Sequence, residues 1–237
     1  MTDLAAISLR LESDGPEAAL CWAAEEFGHD VVLACSLGGP SGMVLIDMTF
    51  RLALHFEVFY LDTGLLFPET YAMRDEIERR YGIQPVAYKP ALTLSQQAAA
   101  YGEGLWRTDP DRCCALRKVE PNRRALAGKR AWISGIRRDQ TQTRRATQVV
   151  GWDERFGLIK VSPLAAWRED QVWDYIRAND VPYHPLHRAG YRSIGCMPCT
   201  RAVEPHEDAR AGRWAAFAKI ECGLHRPINT QPIELHR

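Results

Sequence analysis

The chain has 237 residues, with 46% hydrophobic and 25% charged, enough for one packed α/β domain and unlike the composition of a disordered chain. Thirty basic residues cancel thirty acidic ones, which excludes a protein whose main business is coating nucleic acid. No basic start leads into an apolar run, and no stretch approaches the roughly 20 apolar residues of a membrane span. A cytoplasmic protein with no membrane partner is therefore expected, its seven cysteines reduced, ligating or catalytic.

Residues 1–28 read as an N-terminal helical segment broken at Gly15-Pro16. An α/β core follows over 29–181. His29–Leu37 is a short buried strand, Gly38-Gly39-Pro40-Ser41-Gly42 a turn, and Met43–His55 a helix. Glu57–Thr63 is a second strand. Pro68 suits the first turn of the next helix, Glu69 favours its positive end, Glu76 and Arg80 form an i,i+4 pair, and Gly82 ends it. Gln84–Lys89 is a third strand. A helix is expected over about Cys113–Leu126, a fourth strand over Ala131–Ile136, a fifth over Leu158–Ser162, and a helix over Trp167–Asn179 with Val172, Trp173 and Ile176 on one side. This alternation predicts a parallel sheet with right-handed crossovers and a ligand site beyond the carboxyl ends of its strands. Residues 182–237 are punctuated by Pro and Gly. They read as loops and short helices over the mouth of the sheet, with a mobile tail past Gly223.

Cysteine spacing carries the chemistry. Cys113 and Cys114 are adjacent, Cys196 and Cys199 form a C-x-x-C, and Cys222 stands apart in ECGLH. Adjacent residues on a helix project about 100° apart, so a bulky cubane accepts both thiolates on different irons, and the C-x-x-C supplies the other corners. Structural zinc is the main alternative, followed by a redox pair. Cys222 remains as a candidate nucleophile. Lys118, one turn beyond Cys114, shares its face and can reach an anion. Arg107–Arg145 is rich in basic residues, mostly expected as solvated helix faces. Cys21 and Cys35 read as small buried hydrophobes, and Trp106, Trp132, Trp152, Trp167, Trp173 and Trp214 as packing. His184 and His187 flank Pro185 and are given no ligand role.

The segments LDTGLLFPETY, RCCALRKVEP, YRSIGCMPCTR, GRW and ECGLH, spread over about residues 30–225, resemble the assimilatory, thioredoxin-dependent adenylyl-sulfate (APS) reductases of the PAPS/APS reductase family. The resemblance implies an adenine-nucleotide α-hydrolase-like (Rossmann-like), mostly parallel sheet flanked by helices. It makes 29–181 the nucleotide-binding part and 182–237 the cluster-binding and catalytic-tail segment of a single reductase domain. It implies a [4Fe-4S] cluster on Cys113, Cys114, Cys196 and Cys199, and Cys222 as the nucleophile. The implied reaction converts adenylyl sulfate to sulfite and AMP through an enzyme S-sulfocysteine, in sulfate assimilation and cysteine biosynthesis. Thioredoxin or glutaredoxin is the implied reductant, and a homo-oligomer is allowed.

By the same resemblance Lys118 lies between cluster and substrate sulfate, and Arg210 and Arg213 grip phosphate or sulfate. Ser36, Gly38 and Gly39 match a modified phosphate loop, although Pro40-Ser41-Gly42 stands where an acidic pair commonly follows. Asp62, Thr63 and Gly64, at a strand end, are expected to line the nucleotide pocket. Arg137 and Arg138 leave another strand end, His225 is expected near the nucleophile, and Arg144, Arg145 and Arg201 are further candidates. The competing readings are the same reaction on the 3′-phosphorylated nucleotide (PAPS), an RNA-thiolating ATP-pyrophosphatase relative (disfavoured by the missing S-G-G-x-D-S loop), and a non-catalytic iron–sulfur sensor.

Overall fold

A computed structural model describes residues 3–225. Six short strands, β1 (Val31–Ala34), β2 (Glu57–Leu61), β3 (Val86–Tyr88), β4 (Ala131–Ser134), β5 (Val150–Asp153) and β6 (Leu158–Val161), form one sheet in the order β3-β2-β1-β4-β6-β5. All neighbours pair in parallel except β5 and β6, which form an antiparallel hairpin on one edge. The mostly parallel, helix-flanked sheet agrees with the expected fold class.

Period-2 alternation sends successive strand residues to two separate cores. Val31, Leu33, Ala131 and Ile133 enter the larger one, with α1 (Leu4–Asp14), α2 (Pro16–Phe27), α3 (Pro40–Arg51), α4 (Pro68–Tyr81) and α9 (Glu169–Ala178) over it. Val32, Phe59, Trp132 and Leu158 enter a smaller one, closed by Ala125 and Leu126 at the end of α8 (Glu120–Ala125). Thin cover on this second face leaves room for a cavity above Trp132.

Most boundaries follow the local signals. Gly15, at φ 95°, separates α1 from α2, whose first residue is Pro16. Pro68 opens α4, and Gly82 ends it in the left-handed conformation. Several details differ from expectation. α3 begins at Pro40, not Met43, because Pro40 is preset for a first helical turn; Ser41 and Gly42 are therefore helical. Arg80 does not pair with Glu76: Arg79 takes Glu76, and Arg80 reaches Asp180. α5 (Leu94–Tyr101) and α6 (Leu105–Thr108) were not anticipated, nor was β5. The helix expected over Cys113–Leu126 starts at Pro110 and is interrupted: α7 (Pro110–Cys114) passes into a π turn over Ala115–Val119 and then into α8. Trp152 is 54% exposed rather than packed.

After α9 the chain runs as loops and two 3₁₀ turns, Pro185–Ala189 and Met197–Cys199. Of the expected mobile tail, Leu224 and His225 line the cavity described below, and the remainder lies outside the described residues. No helix among the described residues is long and apolar enough to cross a membrane.

Candidate functional site

β2 and β3 lie on one side of β1, and β4, β6 and β5 on the other. The connections leaving β1 and β4 therefore diverge, and open α/β sheets bind ligands at such a switch point. A cavity of about 250 Å³ opens there, lined by Ser36, Gly38 and Gly39 after β1 and by Ser134 and Gly135 at the end of β4. Close packing builds its floor. A Cβ on Gly42 would fall 2.8 Å from the Cys35 sulfur, and one on Gly135 would fall 3.2 Å from the first turn of α3. Ser36 Oγ accepts from the Gly39 N–H, fixing the loop, and the Gly38 carbonyl lies 3.0 Å from His187 Nε2.

The far wall comes from the C-terminal segment. Arg192, Ser193, Ile194, Arg210, Arg213, Trp214, Glu221, Cys222, Leu224 and His225 all line the cavity, facing Thr63 and Lys118. Trp214 is the hub of the basic groups: Arg213 lies 4.4 Å from its ring centroid, Lys219 5.4 Å, Lys118 5.9 Å and Arg210 6.0 Å. It is thus more than packing, because its π face offsets the mutual repulsion of the cations. Gly195 admits Arg213, whose guanidinium would overlap any Cβ at that position. Arg210 Nε and Arg213 Nε are buried without a hydrogen-bond partner, so the cavity holds spare donors suited to an anion.

Cys222 meets this positive field. Burial pushes its thiol pKa up, but the Lys118 ammonium, the Leu224 N–H and Arg213 together bring it below the ordinary thiol range. Lys118 is correspondingly held above its usual value: the charges of Cys196, Cys114 and Cys222 outweigh burial. His225 stacks on Trp132 at 5.6 Å and 12°, and accepts from Lys160 Nζ at 3.0 Å. Burial and the neighbouring Lys160 push its pKa well down, keeping the ring neutral, and burial lowers Lys160 to about 8.

Behind Lys118 and Trp214 a second, smaller cavity is lined by Cys113, Cys114, Cys196 and Cys199, together with Leu65, Trp106 and Arg117. The C-x-x-C reaches it because Cys196 bridges Leu66 and the Met197 N–H donates to the Leu65 carbonyl. Burial and the neighbouring thiols push Cys113 up to about 12. Burial also raises Cys114, to about 11, against the pull of Lys118. Arg117 donates to the Thr63 carbonyl at 2.7 Å but leaves Nε buried and without a partner beside this cavity. Among the described residues, no three His, Cys, Asp or Glu side chains converge on a single metal ion.

Residues 30–202 match the phosphoadenosine phosphosulfate reductase domain. The chain belongs to that reductase family. It is 48% identical to an adenosine 5′-phosphosulfate reductase of Oceanobacillus iheyensis, covering 90% of this chain and 89% of the relative. Identity to adenosine 5′-phosphosulfate reductase 1 of Bacillus subtilis is 46%, with 89% and 91% covered. Among solved structures, the phosphoadenylyl-sulfate reductase of Candida auris in its phosphate complex superposes with a TM-score of 0.74 at 29% identity, covering 86% of this chain and 98% of that one. FMN adenylyltransferase of Candida glabrata, at 14% identity and a TM-score of 0.57, shares the fold alone.

The structure brings the expected site residues Ser36, Gly38, Gly39, Thr63, Lys118, Arg210, Arg213, Cys222 and His225 to one cavity. Asp62, Gly64, Arg137 and Arg138 do not line it. Asp62 accepts from the Gly64 N–H and the Tyr71 hydroxyl, an ordinary strand-end turn. Arg137 spans from Ser41 to Asp139, and Arg138 forms a forked pair with Glu12. Arg201 pairs with Glu207. Arg144, only a further candidate in the sequence, lines the cavity, as do Glu221 and Arg192, which were not marked. No local pattern announces the Arg144–Glu221 contact, which joins residues 77 apart.

Proposed function

We propose that the protein catalyses the thiol-dependent reduction of adenylyl sulfate to sulfite and AMP, with Cys222 as nucleophile. The observation that carries this reading is the meeting of a thiol of lowered pKa with Lys118, Arg210 and Arg213 in one cavity at the switch point of the sheet. The spare Nε donors of Arg210 and Arg213 support an anionic substrate. The glycine-rich loop 36–39, whose backbone a ligand can approach closely, supports a nucleotide beside it. The thiolate attacks the sulfur of the mixed anhydride, the S–O bond to AMP breaks, and Cys222 carries S–SO₃⁻. A thiolate of an external dithiol then attacks the Cys222 sulfur and expels sulfite, and its second thiol resolves the mixed disulfide, so that the dithiol supplies both electrons. Thioredoxin or glutaredoxin fits that role. Lys118, Arg210 and Arg213 bind and orient the sulfate and neutralise charge as AMP leaves.

The four thiols around the smaller cavity, with the unpartnered Nε of Arg117 beside them, fit a [4Fe-4S] cluster, in which each thiolate takes a different iron and no single-ion centre is needed. Bound there by Cys113, Cys114, Cys196 and Cys199, the cluster would supply a compact charged centre adjoining Lys118. The bacterial relatives at 44–48% identity carry the adenosine 5′-phosphosulfate name, which favours that nucleotide over its 3′-phosphorylated form. Anaerobically purified protein incubated with adenylyl sulfate is expected to gain a sulfonate mass on the peptide containing Cys222. Intact, iron-loaded protein that never gains it would refute the proposal, and exclusive reaction with the 3′-phosphorylated nucleotide would change the substrate.

A further inference from the structure

The three residues before Cys222 are each fastened down, and Arg210 Nη2 reaches both the Ile220 carbonyl and, at 3.5 Å, Glu221 Oε2. Lys219 pairs with Asp111 at the start of α7. The Ile220 carbonyl accepts from Arg210 at 2.8 Å. The Glu221 carboxylate forms a forked pair with Arg144, Nε to Oε1 at 2.7 Å and Nη2 to Oε2 at 2.8 Å, with side-chain exposures of only 2% and 8%. The Thr141 hydroxyl donates to the same carboxylate at 3.4 Å, and Arg144 is braced by Gln140. We propose that Glu221 is a positioning residue whose buried clamp on Arg144 holds the neighbouring Cys222 thiol inside the cavity. This deepens the reading of Cys222 as nucleophile and rests on it.

A cysteine side chain has a single rotor with three staggered wells, so its sulfur stays within a short reach of where the backbone puts it. On the other side Gly223 adopts φ 93°, which disfavours any other residue, and a Cβ there would sit 3.4 Å from Val119. His225, two residues further, is stacked on Trp132. The nucleophile is thus suspended between an ionic anchor and an aromatic one. By charge alone a carboxylate next to a thiolate works against it. Arg144 offsets that penalty, and the carboxylate serves instead to hold the strand of backbone down. Arg144 belongs to the segment after β4 and is braced by Gln140, whose Oε1 also accepts from the Arg137 N–H, and Arg137 in turn bonds Ser41 at the start of α3, so the clamp references Cys222 to the segments that follow β4 and the loop 36–39.

Site-resolved labelling with iodoacetamide tests this in the full-length, iron-loaded protein without substrate. Rates are read on the high-pH plateau, where thiolate fraction no longer varies, with Cys21 on α2 as internal reference. Glu221→Gln is expected to accelerate labelling of Cys222 about tenfold or more, as loss of a charge-assisted forked bond implies, while Cys21 is unchanged. Glu221→Asp, which keeps the charge but shortens the reach, should give an intermediate rate. In turnover, Glu221→Gln should lower kcat more than it raises KM. Adding Arg144→Gln to Glu221→Gln should produce no further acceleration, since one partner already breaks the clamp. An unchanged Cys222 rate in Glu221→Gln overturns the proposal, as does equal acceleration at Cys21 and Cys222 in both the Gln and Asp variants. Labelling needs no nucleotide, so a missing sulfonate adduct in the wild-type protein would refute the reaction while leaving the clamp standing.

Discussion

The sheet and the segment after Val181 are held by different forces. Both apolar cores are built from strands and helices up to Val181, with Tyr183 at their margin, and among the described residues nothing later joins them. Beyond that point the charged or polar groups His184, Arg213, Lys219 and Glu221 are buried beside a few apolar ones, Ile194, Cys196 and Trp214, the last among its cations. Apolar burial scales with area and is nearly blind to pH and salt, whereas ion pairs respond to both. The molecule therefore joins a frame that stays put to a wall that can answer a charged ligand, and the candidate nucleophile is on the wall.

Four experiments separate frame from wall, from the largest expected effect to the smallest. Cys222→Ser should cut sulfite formation by about a thousandfold or more while circular dichroism and Tm stay unchanged, because the proposed nucleophile sits in the wall and the fold does not rest on it. Ile133→Ala, in the fully buried centre of β4, should cost about 2–5 kcal/mol in denaturant unfolding and loosen both regions together. Lys118→Met should move the acid limb of kcat/KM upward. Cys222 has a lowered pKa, so its thiolate survives as pH falls below the ordinary thiol range, and removing the strongest acidifying charge shifts its loss to higher pH.

The fourth concerns Glu221. Burial alone would raise its pKa, but its bond to Arg144 and the charges of Arg144 and Arg210 lower it below the carboxylate range. A depressed folded value contributes stability that is complete above the unfolded pKa and lost as pH falls through the folded one. Protection from hydrogen exchange, taken relative to the intrinsic rate at each pH, should accordingly be lost in acid at residues 219–225 before it is lost in β1 and β4. Simultaneous loss would mean that the wall is not separately held.

The frame was legible because its signals are local. Gly15-Pro16, Pro68 and Gly82 each act within a turn of where they stand, and buried strands such as Val31–Ala34 are short aliphatic runs. β5 escaped because Val150-Gly151-Trp152-Asp153 shows no clean alternation and turns Trp152 to solvent; only pairing with β6 makes it a strand. In the site, cysteine spacing and the motif resemblance pointed to Cys222, Lys118, Arg210 and Arg213. The motif also pointed to His225 near the nucleophile, but its stacking on Trp132, the Arg144–Glu221 pair and the role of Trp214 depend on contacts spanning many residues, which no window of sequence contains. Arg137 and Arg138 show the converse: a strand end predicts proximity to a ligand, but their partners Ser41, Asp139 and Glu12 had already claimed them.

The π turn over Ala115–Val119 carries one more residue than a straight α-helix would use to cover the same path, and its closing bond runs from the Glu120 N–H back to the Ala115 carbonyl. Each residue of an α-helix advances about 100° around the axis. Deleting a single residue here would let the helix relax into ordinary winding over the same path, keeping Cys113 and Cys114 in phase with α8, whereas a residue added to plain α-helix would turn them by about that angle. The wide turn thus takes up a surplus residue without re-aiming the two thiols, which an insertion elsewhere in α7 or α8 would do.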